Sequence, residues 1–100
     1  MIILSDVEIA EVWGKARSTY NLLNPGWAKD VCGAWMQMDY YGKHDSLYGW
    51  EAHRVKPASA GGSDDVSNLI PLQHDNATAS DDGPLKCVVT AEGDHNVHVG

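Results

Sequence analysis

Residues 48–82 read YGWEAHRVKPASAGGSDDVSNLIPLQHDNATASDD, and no other stretch restricts the fold as tightly. Trp50–Lys56 has the composition of a strand, and residues 57–65, rich in Gly, Ser and Asp, read as a loop. Residues 66–72 predict a second short strand or extended segment. Residues 73–80 predict a short helix, closed by Asp82-Gly83-Pro84.

The flanks are simpler. Ser5-Asp6-Val7-Glu8 is a capping box, with Ser5 as N-cap and Glu8 three residues on. Val7, Ile9, Ala10, Val12, Trp13 and Ala16 then follow helical spacing through about Tyr20, until Asn24-Pro25-Gly26 stops the helix. Such a helix serves packing or dimerisation, so a homo-oligomer is one arrangement it would allow. Residues 27–38 are ambiguous, but Cys32, Ala34 and Met36 alternate, which favours a strand over 32–37. Residues 41–45 are polar and turn-like. Residues 85–90 and 96–99 flank Ala91-Glu92-Gly93-Asp94 as a β-hairpin. The expected fold class is α+β, one domain over 1–100: an N-terminal helix in 1–24, a core in 30–82 and a hairpin in 84–100.

At one hundred residues the core is small, so packing by the four Trp and four Tyr, in a chain without Phe, carries much of the stability. Seven basic against fourteen acidic residues give a net charge of −7. Phosphate neutralisation supplies most non-specific affinity for duplex DNA, which this charge disfavours as a partner. No apolar run approaches the length that spans a membrane. Met1–Leu4 is apolar but short, and it is not expected to act as a signal peptide. Cys32 and Cys87 form no CxxC pair, which argues against a zinc ribbon. Two free, buried thiols in a cytoplasmic protein are the expectation.

The ordered set Trp50-Glu51-Ala52-His53-Arg54-Val55-Lys56-Pro57, Gly61-Gly62, Asn68-Leu69 and Pro71-Leu72 resembles the HNH endonuclease family. The resemblance covers residues 30–82 and implies a ββα-metal core, in which two strands and a helix hold one divalent ion. Family members typically read Trp-Glu-x-(Asp or His)-His-x-x-Pro on the first strand. Aligned without a gap, His53 falls on a metal-ligand position and Arg54 on that of the general base. Slipping the strand by one residue would make His53 the base, but it would reverse the faces and displace Pro57. The helix departs further. Ala77 stands at the ligand position, where it cannot coordinate, and Ser80 where a basic residue is common. His74 and Asp81 lie one turn to either side of Ala77, so His53 with His74 or Asp81 is a candidate metal set. Asn68 matches a residue whose family role is structural.

Arginine does not act as a general base, because its pKa stays above about 12. It can instead grip a phosphate or carboxylate in bidentate fashion. The expectation is therefore a pseudo-nuclease without catalytic residues, binding a nucleotide or other phosphate-bearing small molecule, or a protein partner. Its candidate ligand-binding residues are Arg54, His53 and Lys56, with Trp50 and Tyr48 as stacking surfaces. No cofactor is expected for that role. A phage or mobile-element anti-defence inhibitor would suit so compact and acidic a chain. Two alternatives stay open: an HNH DNA endonuclease using Mg²⁺, Mn²⁺, Ni²⁺ or Zn²⁺ through an unusual ligand set, and a structural protein-interaction module. His44, His95 and His98 read as surface histidines.

Overall fold

A computed structural model describes residues 2–16, 26–81 and 83–99. Among them lie two α-helices and three two-stranded antiparallel sheets, an α+β architecture. Ser5 starts the first helix: its Oγ accepts from the Glu8 N–H at 3.2 Å, while Glu8 Oε1 accepts from the Ser5 N–H at 3.0 Å. This box satisfies donors that a helix start leaves open, and α1 runs over Asp6–Trp13. It ends sooner than the apolar spacing suggests. Gly14 follows, and the N–H groups of Lys15 and Ala16 reach only three residues back, to Val12 and Trp13. The expected continuation from 17 to Tyr20 and the Asn24-Pro25 stop lie outside the described residues.

Strands β1 (Trp27–Lys29) and β2 (Trp35–Gln37) form the first hairpin. Asp30 Oδ1 accepts from the N–H groups of Cys32 and Ala34, each at 2.9 Å, and bends the chain there. The strand expected over 32–37 is shortened to three residues by that turn.

The second hairpin pairs β3 (Trp50–Arg54) with β4 (Leu69–Gln73), Trp50 opposite Gln73 and Arg54 opposite Leu69. Its loop is tied by one side chain. Asn68 accepts from the Lys56 N–H at 2.8 Å and donates to the carbonyls of Lys56 and Ser63 at 3.0 and 2.8 Å. Gly62 lies so close to this crossing that a Cβ would sit 1.7 Å from the Lys56 carbonyl oxygen. Residues Val66–Asn68 form a 3₁₀ turn, so the second strand begins at Leu69 rather than at 66. Helix α2 (His74–Ser80) follows β4 directly, capped by Gln73 Oε1, which accepts from the N–H groups of Asp75 and Asn76. The third hairpin pairs β5 (Val89–Glu92) with β6 (His95–His98) across Gly93, whose φ is 62°.

Two buried assemblies hold these pieces. Val12, Met36, Trp50 and Leu69 form an apolar cluster, with Trp13 and Tyr41 set against Trp50 at centroid distances of 5.1 and 4.8 Å. Aromatic pairs of this kind add about 0.5–1.5 kcal/mol each beyond area burial. The second assembly is polar. Asp30 Oδ2 accepts from the Gln73 N–H at 2.9 Å and from Asn76 Nδ2 at 3.0 Å. Asn76 also donates to the Val89 carbonyl at 3.0 Å, and its Oδ1 accepts from the N–H groups of Val88 and Val89 at 2.8 Å. One helix residue thus locks α2 to the first and third hairpins.

A disulfide joins Cys32 to Cys87, 55 residues apart, and corrects the expectation of free thiols. The pairing follows from the fold. Asn96 bonds both backbone groups of Trp35, and Thr90 Oγ1 donates to the Cys32 carbonyl, which brings the third hairpin beside the Asp30 turn. Closing a loop of this length stabilises by about 4 kcal/mol on the chain-entropy account. The inference of a cytoplasmic protein from free thiols loses its premise. No helix among the described residues is long and apolar enough to cross a membrane.

Candidate functional site

Side chains alternate along a strand. On β3, Trp50 and Ala52 face the apolar cluster, while Glu51 points the other way, where its Oε2 lies 3.6 Å from His74 Nδ1. The strand and α2 border an open cavity of about 610 Å³. His53 and Arg54 line it from β3, and Ala77, Thr78 and Asp81 from the helix side. Ile2, Tyr41, His44, Glu51 and Ala52 complete the wall.

The cavity mixes both signs of charge. Arg54 Nε donates to Asp64 Oδ1 at 2.5 Å across the hairpin loop. That bond from Arg54 holds the Asp64 carboxyl below the usual carboxylate range. Burial, and then the charge of Glu51, push the Tyr41 phenol above its ordinary value, so it remains a neutral hydroxyl donor.

A second cluster lies at the rim. Gly49 admits the segment carrying His44, since a Cβ there would stand 1.8 Å from the Lys43 carbonyl oxygen. The Gly49 carbonyl also accepts the His74 N–H at 2.8 Å, which fixes the start of α2 beside that segment. His44 Nε2 lies 3.1 Å from Glu51 Oε1, and its ring stacks on His74 with centroids 4.4 Å apart and planes 23° apart. His74 Nε2 lies 3.5 Å from Asp75 Oδ1. His74 Nδ1 is enclosed and has no hydrogen-bond partner among the described residues.

The residues anticipated from sequence are therefore distributed unevenly. His53, Arg54 and Asp81 share the cavity wall with Ala77. Lys56 is exposed and does not line it. Trp50 is fully buried between Trp13 and Tyr41, so the expected stacking face is spent on the core. Tyr48 meets Trp27 edge-on at 5.2 Å and lines a separate shallow recess with Lys43 and Leu47. Asn68 lies in the hairpin loop as its tether. Of the expected metal pairs, His53 and Asp81 share the cavity wall, while His74 is not among the residues that line it. Among the described residues, the three that come within 4.8 Å of one another are His44, Glu51 and His74.

Sequence reasoning missed Tyr41, His44, Glu51 and Thr78. Glu51 had a usable signal: it sits two residues from His53, on the same face of a strand. His44 had none, since its approach depends on the close contact at Gly49. No family model, curated protein or solved structure matches the chain.

Proposed function

We propose that this chain is an HNH-like pseudo-nuclease, a binding protein that holds a phosphate-bearing small molecule between β3 and α2 without cleaving it. The observation that carries this reading is the shared cavity wall of His53, Arg54 and Ala77. A guanidinium stands where the resemblance calls for a base, and a methyl group where it calls for a ligand. Neither does that chemistry, but a guanidinium in a concave site is a good phosphate anchor. The neutral Tyr41 hydroxyl adds a donor of the kind that orients a ligand; the Thr78 hydroxyl, which donates to the His74 carbonyl at 3.0 Å, can only accept there. A volume of about 610 Å³ lies within the usual range for small-molecule sites. Glu51 and Asp81 disfavour a bare polyanion, which suits a nucleotide better than duplex DNA.

Titration calorimetry with inorganic phosphate and a panel of mono- and dinucleotides tests the proposal. Arg54→Ala should weaken the bound member by about 1.5–3 kcal/mol, the scale of a hydrogen bond to a charged group, or about tenfold to a hundredfold. Unchanged affinity in that variant removes Arg54 from the site. Absence of binding across the whole panel overturns the reading and leaves the protein-interaction module.

A further inference from the structure

We propose that His44 Nε2, Glu51 and His74 Nδ1 form a binding site for a borderline divalent transition-metal ion of the Zn²⁺ type, at the cavity rim and away from His53 and Ala77. The donor atoms of the three residues already lie within 4.8 Å of one another. Two imidazole nitrogens and a carboxylate select Zn²⁺, Ni²⁺ or Co²⁺ over Mg²⁺ or Ca²⁺.

The second observation is the state of His74. Its Nε2 faces Asp75 Oδ1 at 3.5 Å, an arrangement that favours the proton on Nε2. Nδ1 then carries a lone pair, enclosed, without a hydrogen-bond partner among the described residues, and 3.6 Å from a Glu51 oxygen. A lone pair and a carboxylate oxygen facing each other repel unless a proton or a metal ion lies between them. A metal ion meets that need, and the carboxylate–histidine–metal relay through Asp75 is the usual means of orienting such a ligand.

Tetrahedral zinc holds its ligand atoms about 3.3 Å apart, so the group must contract and the stacked rings must splay. His44 can supply that movement, being exposed on a loop, while Glu51 and His74 sit on regular elements. His44 and Glu51 also line the cavity, so the remaining coordination positions open toward Arg54. There the ion would offset the Glu51 charge and offer a site for a phosphate oxygen. The metal site stands on its own geometry and does not depend on the phosphate reading.

The test is calorimetric titration of Zn²⁺ alone into the metal-free full chain, with Co²⁺ absorption reporting coordination and near-ultraviolet circular dichroism reporting fold. Near-stoichiometric binding is expected. Asp75→Asn should weaken it by about tenfold to a hundredfold, and His74→Ala and the near-isosteric Glu51→Gln by more. His95→Ala, at the exposed turn end of the third hairpin, should leave it unchanged. Failure of the unaltered chain to bind Zn²⁺ overturns the proposal. So does wild-type affinity in folded His74→Ala and Glu51→Gln, or loss confined to His53→Ala.

Discussion

Two neighbouring residues of α2 have opposite surroundings. Asn76 is buried with both its side-chain oxygen and its nitrogen doubly bonded, to Asp30 and the backbone of Val88 and Val89. His74, two residues earlier, leaves an enclosed nitrogen unbonded among the described residues and faces a carboxylate. A buried polar group without a partner costs about 1–3 kcal/mol, so folds satisfy such groups wherever stability alone is at stake. The Asn76 side of the helix meets that rule in full. The His74 side departs from it beside the β3–α2 cavity, and departures of this kind concentrate at functional sites.

The sharpest way to break this comparison is to truncate each residue in turn. Asn76→Ala strands two backbone N–H groups and one carbonyl and removes one of the two bonds to Asp30 Oδ2, and should cost about 3 kcal/mol or more in urea unfolding. His74→Ala should cost less than about 1 kcal/mol. Equal losses would mean that both faces of the helix are structural. Reduction of Cys32–Cys87 should cost about 2–4 kcal/mol, because it frees the turn and hairpin that the Asn76 side joins. A Cys87→Ser variant with an unchanged unfolding midpoint would show that the Asp30–Asn76 contacts hold those elements unaided.

The smallest effect is expected at Asp64. Arg54 lowers its folded pKa, so its stabilising contribution is complete above the ordinary carboxylate range and disappears as pH falls through the lowered value. Asp64→Asn should flatten that acid limb slightly in a series of urea midpoints against pH. The same variant should strengthen phosphate binding, since it removes a carboxylate that competes for Arg54. An acid limb unaltered by the substitution would place the titration elsewhere.

Much of the strand–strand–helix order from Trp50 to Ser80 was legible because its punctuation is local. The strand-like composition of Trp50–Lys56, the Gly-rich loop around Gly61-Gly62 and the Asp82-Gly83-Pro84 stop all act within a few residues. The boundaries were less so. Asp30, with Gly33 at a φ of 84°, turns a strand-like Cys32–Ala34 into a bend, and the capping box of α1 reveals where that helix begins but not that it ends at Trp13. The disulfide was not legible, because Cys32 and Cys87 are brought together by contacts of Asn76, Thr90 and Asn96 between segments far apart in sequence. The candidate site divides in the same way. His53 and Arg54 follow from the family resemblance along β3, and Asp81 from its one-turn spacing after Ala77. The His44–Glu51–His74 cluster requires a loop brought close at Gly49, and Trp50 was misassigned because aromatic character does not reveal which face is buried.

The central claim is that the β3–α2 cavity binds and does not cleave. Supercoiled-plasmid nicking across Mg²⁺, Mn²⁺, Ni²⁺ and Zn²⁺ tests it most directly, with the chain run beside an Arg54→His/Ala77→Asn double variant. The account predicts that the plasmid stays supercoiled with the unaltered chain under every metal, since Arg54 supplies no base. Nicking by that chain, abolished by EDTA, would contradict it and make the cavity a working nuclease site.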